Sequence, residues 1–456
     1  MNRDIPALLS KYNREIPRYT SYPTVPYWQD FEDIRAYREN FQSRFSAGNR
    51  QEGIALYLHL PFCDTLCTYC GCNKIITTNH SVEEDYLNAI IAEWYQYRKL
   101  MSETPVIREL HLGGGTPTFF SADNLRRLLN CLFDLADVHD NRSFSVEGHP
   151  NNTTKAHLKL LSQFGFRRIS LGVQDHNPEV QRIINRIQPY ENVQKVTEWA
   201  REAGFSSVNF DLIYGLPRQT EKSIEKTIRD TIALRPDRIA FYSYAHVPWK
   251  AKAQRLYDER DLPLPEEKIR FYLIARQLFV EAGYVDIGMD HFALPGDDLY
   301  KAFQEGGLHR NFMGYTDART NFLVGLGLSA ISDTGTAYAQ NTKKLSDYYR
   351  LIQSGMLPVK KGYLLSPTDR ILREYILDIA CKGSTFLQAE HDGLLNRYVL
   401  PELRTMVTDG LLTLNNRQIQ VTPIGRLFLR NICHAFDLKN RDAGFGQDKG
   451  RFSQAV

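Results

Sequence analysis

The chain runs to 456 residues, 43% apolar and 24% charged, with a net charge of +3, enough for a large core and more than one domain. A charge so nearly balanced gives no bulk attraction to nucleic acid, and no stretch approaches the roughly 18 uninterrupted apolar residues of a membrane span. The N-terminal MNRDIPALLSKYNREIPRYT lacks a signal peptide's apolar core, and seven cysteines, an odd number, argue against a disulfide framework and for a reducing, cytoplasmic setting.

In chain order, IPRYTSYPTVPYW (16–28) is rich in Pro and Tyr and reads as an extended arm over the main domain. From residue 56 to about 245 a strand-then-helix rhythm follows, with strands expected at 56–60, 109–114, 143–148, 168–173, 208–215 and 238–244. In the first helix, Ser81 and Glu84 have capping-box spacing, and Leu87, Ile90, Ile91 and Trp94 form one apolar stripe. Gly165, Gly204 and Gly283 each close a helical pattern, as left-handed C-cap residues do. Such alternation predicts a parallel sheet with right-handed crossovers. The rhythm alone leaves both an open sheet and a partial barrel available.

Beyond about residue 360 the pattern changes. TDRILREYILDIACKG, YVLPELRTMVTDG and the hairpin-like LLTLNNRQIQVT predict two or three helices with a small β-wing. A winged-helix shape raises a nucleic-acid role, but no basic, aromatic-interleaved run accompanies it. The expected domains are an arm over 1–50, a catalytic domain over 51–355 and a helical, winged domain over 356–456.

The polar motifs share one place in this scheme. Gly113-Gly114-Gly115-Thr116, Glu147, Gln174-Asp175, Asp211 and Tyr244-Ala245-His246 all fall at C-terminal ends of expected strands, the functional face of barrel and open α/β folds. Three successive glycines let backbone approach a ligand closely; a tight turn is the plainer reading, and no Gly-Lys-Ser/Thr follows to make a phosphate loop. Thr116 before Pro117 is common turn chemistry. Gly325 to Ile331 is a weak dinucleotide-like match or, equally, an apolar loop facing an adenine.

Cys63, Cys67 and Cys70 form C-x3-C-x2-C, and Cys72 adds a C-x-C. Structural zinc prefers four ligands, usually as two distant pairs, and no second pair exists here. Cys131, Cys381 and Cys433 are solitary among apolar residues and read as buried small hydrophobes. A thioredoxin-type pair leaves the third and fourth thiols unexplained. Closely spaced thiolates hold iron–sulfur clusters, and three of them on a four-iron cluster leave one iron open.

With that motif the chain resembles radical S-adenosylmethionine enzymes. In those enzymes the cofactor's amino and carboxylate groups chelate the open iron, and one electron cleaves the sulfonium to methionine and a 5′-deoxyadenosyl radical. The resemblance extends along nearly the whole chain. PRYTSYPT (17–24), YLHLPFC (57–63), YCGCNK (69–74), HLGGGTPT (111–118), SLGVQD (170–175), FDLIYGLP (210–217), GMDHFA (288–293), LHRNFMGYT (308–316) and YAQN (338–341), in this order, are similar to the oxygen-independent coproporphyrinogen III oxidases.

That resemblance implies an α/β fold, a partial (β/α)6 barrel of the radical S-adenosylmethionine type with an extended N-terminal arm and a mainly helical C-terminal domain. It implies oxidative decarboxylation of two propionates of coproporphyrinogen III to vinyls, giving protoporphyrinogen IX for haem synthesis. The cofactors implied are a 4Fe–4S cluster on Cys63, Cys67 and Cys70 and two S-adenosylmethionines. Tyr57, Gly114, Glu147 and Ile331 would line the first; Tyr69, Gly115, Thr116, Gln174, Arg186, Asp211 and Ala245 the second. Tyr57, Glu147 and Cys72 are the catalytic candidates, Cys72 as a non-ligand beside the cluster.

Chemically, Asp211 or Glu147 suits ribose hydroxyls or the cofactor amine, and Arg186 its carboxylate. Arg186 reads equally well as a surface charge, whereas an unpaired Asp211 among apolar strand residues would be costly. Arg18, His309 and Arg310 are candidate partners for the substrate's carboxylates. Glu147-Gly148-His149-Pro150 departs from the family's Glu-x-Asp-Pro, and Thr320-Asn321-Phe322 from Thr-Asp-Leu. An electron donor and acceptor are implied without being identified, no nucleic acid or membrane is expected, and nothing demands more than a monomer. The competing readings are a haem chaperone or haem-degrading relative, and a zinc-containing winged-helix protein. A chaperone relative begins close to its cluster and lacks the second cysteine of the C-x-C, unlike this chain.

Overall fold

Six strands carry the architecture, all near their expected places: β1 (Ile54–Leu60), β2 (Val106–Gly114), β3 (Asp137–Gly148), β4 (Arg168–Gln174), β5 (Ser207–Tyr214) and β6 (Arg238–Ser243). They pair in parallel, each with the next in sequence. The computed structural model describes residues 5–31, 33–249 and 251–442. Among these, no helix is long and apolar enough to cross a membrane.

Helices Val82–Arg98, Ala122–Phe133, Lys155–Gln163, Tyr190–Glu202 and Glu221–Leu234 return the chain between strands. Leu87, Ile90 and Trp94 are fully buried in the main core and Ile91 packs at its margin, so the expected stripe is the buried face. The three expected C-cap glycines have φ of +90°, +91° and +90°. The residue after each bonds back five positions, as Phe166 N–H does to Leu161 C=O. The expected capping box does not form. Ser81 already has helical φ and ψ and accepts no cap bond. Buried Glu83 instead accepts from Ser121 N–H and Asn124 Nδ2, tying this helix to the next.

The sheet continues past both ends of the six. Leu323–Leu326 adds in parallel beside β1, followed by antiparallel Ile331–Asp333, Ala337–Asn341, Val359–Leu364 and Gln29–Asp30. Beyond β6 lie antiparallel His291–Ala293 and Val285–Gly288. The edges do not pair with one another, yet the inner faces curl around shared space. Asp317 accepts from Ser143 on β3 and Arg238 on β6, and Thr316 reaches Glu109 on β2 at 2.7 Å. Of the two architectures left available, this is the partial barrel.

The chain from Asn13 to Thr24 is free of helix, with bends over 20–23, and closes in a 3-10 turn at Val25–Tyr27; α-helices flank it, Ile5–Tyr12 before and Arg35–Glu52 after. The second belongs to the barrel, because its Tyr37, Phe41 and Phe45 are buried in the main core. The piece between them belongs elsewhere. Ile16, Tyr19 and Tyr22 share a core with the C-terminal helices, and Tyr19 Oη donates to Asp437 at 2.9 Å.

That C-terminal unit is built on Pro367–Lys382 and Leu400–Thr408 with the antiparallel strands Ser384–Phe386, Gln418–Val421 and Leu412–Asn415. Its hairpin turns at Asn416 and Arg417, both at positive φ, the geometry that matches strand twist. Val359–Leu364 still belongs to the main sheet, which therefore extends past residue 355. Residues 443–456 of the expected domain lie outside the described residues. Cys381 and Cys433 are buried, as expected, and Cys131 partly so.

Candidate active site

β1 ends by handing the chain to the cysteine loop. Phe62 plugs the main core, and Phe62–Cys63 pairs with Ile75–Ile76 across the loop's neck. The end of β2 braces it from the side. Gly115 N–H donates to Leu60 C=O at 2.9 Å and Thr116 N–H to Phe62 C=O at 3.0 Å. A Cβ at Gly115 would stand 2.5 Å from Pro61 C=O, so only glycine permits this approach.

Cys63, Cys67 and Cys70 then open onto one cavity of about 480 Å³. Thr116 Oγ1 lies 3.4 Å from Cys63 Sγ, and Arg186 Nη1 lies 3.4 Å from Cys67 Sγ. Burial pushes the Cys63 thiol up to about 11, in spite of the Thr116 bond. At Cys70 a hydrogen bond from Cys72 dominates, lowering Cys70 and raising Cys72. The donor set fits a three-thiolate cluster: Cys63, Cys67 and Cys70 open onto one cavity, and two of the sulfurs face polar donors of the scaffold.

A second cavity of about 410 Å³ adjoins the first. Cys72, Gly114, Glu147 and Tyr242 line both. Tyr57, Gly114, Glu147 and Ile331, expected as one group, all line the second cavity. Tyr69, Gly115, Thr116, Gln174, Arg186 and Asp211, expected as the other, all line the first. Ala245 lines neither. Its C=O accepts from Gln254 Nε2, which also binds Tyr69 C=O, so it props the wall from behind.

Glu147 Oε2 accepts from Gly114 N–H at 3.1 Å, and Oε1 lies 3.3 Å from His111 Nε2. Burial alone would raise this carboxyl, but the His111 and Gly114 contacts bring it below its ordinary value. Burial pushes Asp211 up to about 6. It is not unpaired, however, since Ser170 Oγ and Asn209 Nδ2 donate to it at 2.7 and 2.9 Å. Tyr57 Oη lies 3.0 Å from His59 Nδ1, and His59 Nε2 lies 2.8 Å from Asn73 C=O. The carbonyl requires Nε2–H, so Nδ1 accepts from Tyr57.

Other expectations fall outside. Asp175 is buried against Thr227 and Gln219, and Tyr244 bonds Tyr257 and His246; none of them lines either cavity. His309, which burial pushes down to about 3, also lines neither, whereas Arg18 and Arg310 line the second. Neighbours on a strand face opposite ways. The two departures from the family pattern separate too. Asn321 bonds Glu52 and Phe322 packs on Phe41, both away from the cavities. His149 lines the thiol cavity, its imidazole pushed down to about 3 by burial and by Arg186.

Tyr242, His59 and His111 are cavity residues not among the candidates. Alternation offered a signal. Arg238, Ala240 and Tyr242 on β6 all border a third space of about 250 Å³ inside the barrel, which also meets His111 and Glu147.

Comparison with known proteins agrees with this geometry. Residues 57–231 match the family model of the radical SAM superfamily. The chain is 39% identical to an oxygen-independent coproporphyrinogen III oxidase of Synechocystis sp., with 94% of each chain covered. It is equally 39% identical to the protein of that name from Escherichia coli, again over 94% of each. The solved coproporphyrinogen III oxidase of Escherichia coli, described as a radical SAM enzyme, superposes with a TM-score of 0.87 at 37% identity, covering 96% of this chain and 100% of that one.

Proposed function

Because the chain belongs to the oxygen-independent coproporphyrinogen III oxidases of the radical SAM superfamily, we propose that it decarboxylates two propionates of coproporphyrinogen III to vinyls, yielding protoporphyrinogen IX. The observation that carries this reading is the shared wall. Three thiols open onto one cavity, and Cys72, Gly114, Glu147 and Tyr242 join it to a second cavity bearing arginines. When bound, the 4Fe–4S cluster and S-adenosylmethionine would supply one electron and a 5′-deoxyadenosyl radical able to accept a hydrogen atom from the propionate β-carbon. The propionate then loses CO2, and one electron leaves to an acceptor as the vinyl forms.

The chain's own residues hold and shield these groups. Cys63, Cys67 and Cys70 would hold the cluster, with Cys72 beside it on the wall between the cavities. Arg186 would face a cofactor carboxylate in the thiol cavity, where Asp211 would accept from its hydroxyl or ammonium donors. In the adjoining cavity Glu147 would do the same between Tyr57 and Ile331. Arg18 and Thr20 of the arm line the second cavity, and the C-terminal unit shares a core with that arm, so together they would hold a wall that keeps water from a reactive radical. The chain's seven cysteines are all free thiols, in keeping with the cytoplasm.

The test is anaerobic turnover of reconstituted protein with reductant, S-adenosylmethionine and coproporphyrinogen III. Two CO2 should appear per protoporphyrinogen IX. Stoichiometric haem binding without CO2 would favour a haem-carrying relative instead.

A further inference from the structure

The second cavity contains a cation that the scaffold leaves unmatched. Arg310 is only 5% exposed, and it reaches the cavity from the short strand His309–Asn311. Its guanidinium carbon sits 4.6 Å from the centre of the Tyr315 ring. Nη2 donates to Arg18 C=O at 3.1 Å, while Nε and Nη1 are buried without a hydrogen-bond partner.

The other arginine on this wall differs. Arg18 pairs with Asp290 at 3.1 Å and donates to Ser243 C=O, so its charge is already answered. A guanidinium remains charged at any working pH, and a buried one without an anion is costly. The neighbouring His291 offers no relief: burial, with Arg310 and Arg18 beyond that, pushes it down to about 4. Its Nδ1 is spent on Met289 C=O.

From this geometry we propose that Arg310 is the anchor for one propionate carboxylate of the substrate, which its charge and an unused guanidinium donor hold in the second cavity. This deepens the decarboxylase reading and rests on it. A carboxylate could also come from S-adenosylmethionine. The cofactor expected beside Tyr57 and Ile331 would bring a single carboxylate to this cavity, whereas the substrate carries one on every propionate, and the parallel probes below separate the two sources.

The test is anaerobic binding of coproporphyrin III, the oxidised non-reacting form, to reconstituted wild type, Arg310→Gln and Arg310→Lys. The tetramethyl ester and radiolabelled S-adenosylmethionine serve as parallel probes. Loss of a charge-assisted bond should weaken binding of the free acid to Arg310→Gln about 10- to 100-fold. Arg310→Lys should recover part of that, and the ester should bind wild type and Arg310→Gln alike. Iron content and circular dichroism check that each variant is folded. Unchanged affinity of folded Arg310→Gln for the free acid overturns the proposal. So does a loss confined to S-adenosylmethionine, which would assign the guanidinium to the cofactor's carboxylate. The binding assay needs no turnover, so its result stands apart from whether CO2 is released.

Discussion

Arg186 is aimed at Cys67: its Nη1 lies 3.4 Å from the sulfur while Nη2 donates to Gly172 C=O at 2.6 Å. One planar group thus spans β4 and the cysteine loop and holds a charge on the thiol cavity. A bidentate fork is lost in lysine. Arg186→Lys and Arg186→Met should therefore both retain iron but bind S-adenosylmethionine about 10-fold or more weakly, from a charge-assisted bond of about 1.5–3 kcal/mol. Equilibrium dialysis with iron analysis decides it; unaltered affinity in both variants would remove Arg186 from the cofactor site.

The four thiols of the loop are not equivalent. Thr116 and Arg186 direct polar hydrogens at Cys63 and Cys67, whereas Cys72 is the one exposed thiol of the four and lines both cavities. The three thiols that face the thiol cavity alone are the ones expected to hold iron. Cys67→Ala should lose the cluster after anaerobic reconstitution, and Cys72→Ala should keep four irons and acid-labile sulfide while losing turnover. Equal loss of iron in the two would refute the three-ligand assignment.

What the sequence disclosed and what it hid follow from the range of the forces involved. The six strands and the three C-cap glycines are written in local signals: period, branched residues, and a left-handed φ that glycine tolerates. Ser81 and Glu84 carried the same kind of signal and misled, because His80 begins the turn one residue early and leaves Ser81 already helical. Long-range closure was invisible. Nothing local shows that Leu323–Leu326 lies beside β1, or that Arg18 and Arg310 meet across the arm. His309 and Arg310 were indistinguishable as candidates because a three-residue strand is too short to show alternation. The site residues were named through family resemblance, and their grouping into two cavities appears only in the folded chain.

Beneath the loop from Gly325 to Ile331, Glu93 is fully buried and accepts from Gly327 N–H, Asn341 Nδ2 and Tyr348 Oη, each at 2.7 Å. Burial pushes its carboxyl up to about 7, although those bonds pull the other way. A raised acid holds its proton more tightly folded than unfolded. Its contribution is therefore greatest below the unfolded value of about 4.3 and declines as pH rises toward 7, by about 3–4 kcal/mol. Thermal unfolding of wild type and Glu93→Gln between pH 5 and 8 isolates this group from Asp175 and Asp211, which are also raised. The wild-type minus variant difference in melting temperature should fall as pH rises. A flat difference would show that Glu93 does not titrate there.

At the opposite end of the barrel, Asp317 ties three strands together. It accepts from Ser143 Oγ at 2.9 Å and Arg238 Nη2 at 3.0 Å, and Arg168 Nη1 lies 3.4 Å away. Arg238 also donates to Asp297 at 2.6 Å. Burial opposes the carboxylate's charge, but the two arginines outweigh it and hold Asp317 well below the ordinary carboxylate range. Such a depressed acid contributes fully above the unfolded value of about 3.9 and loses that contribution only as pH falls through the acid range. Stability between pH 5 and 8 should thus be insensitive to Asp317 titration, yet highly sensitive to its removal. Asp317→Asn leaves Arg168 without its carboxylate and should cost about 3 kcal/mol, the lower end for a broken buried pair because Arg238 keeps Asp297. Urea unfolding at pH 7 measures the loss. The cysteine loop lies at the other ends of these strands, so iron content measured in the cold should match wild type. An unchanged urea midpoint would show that the arginines find another partner when Asp317 is gone.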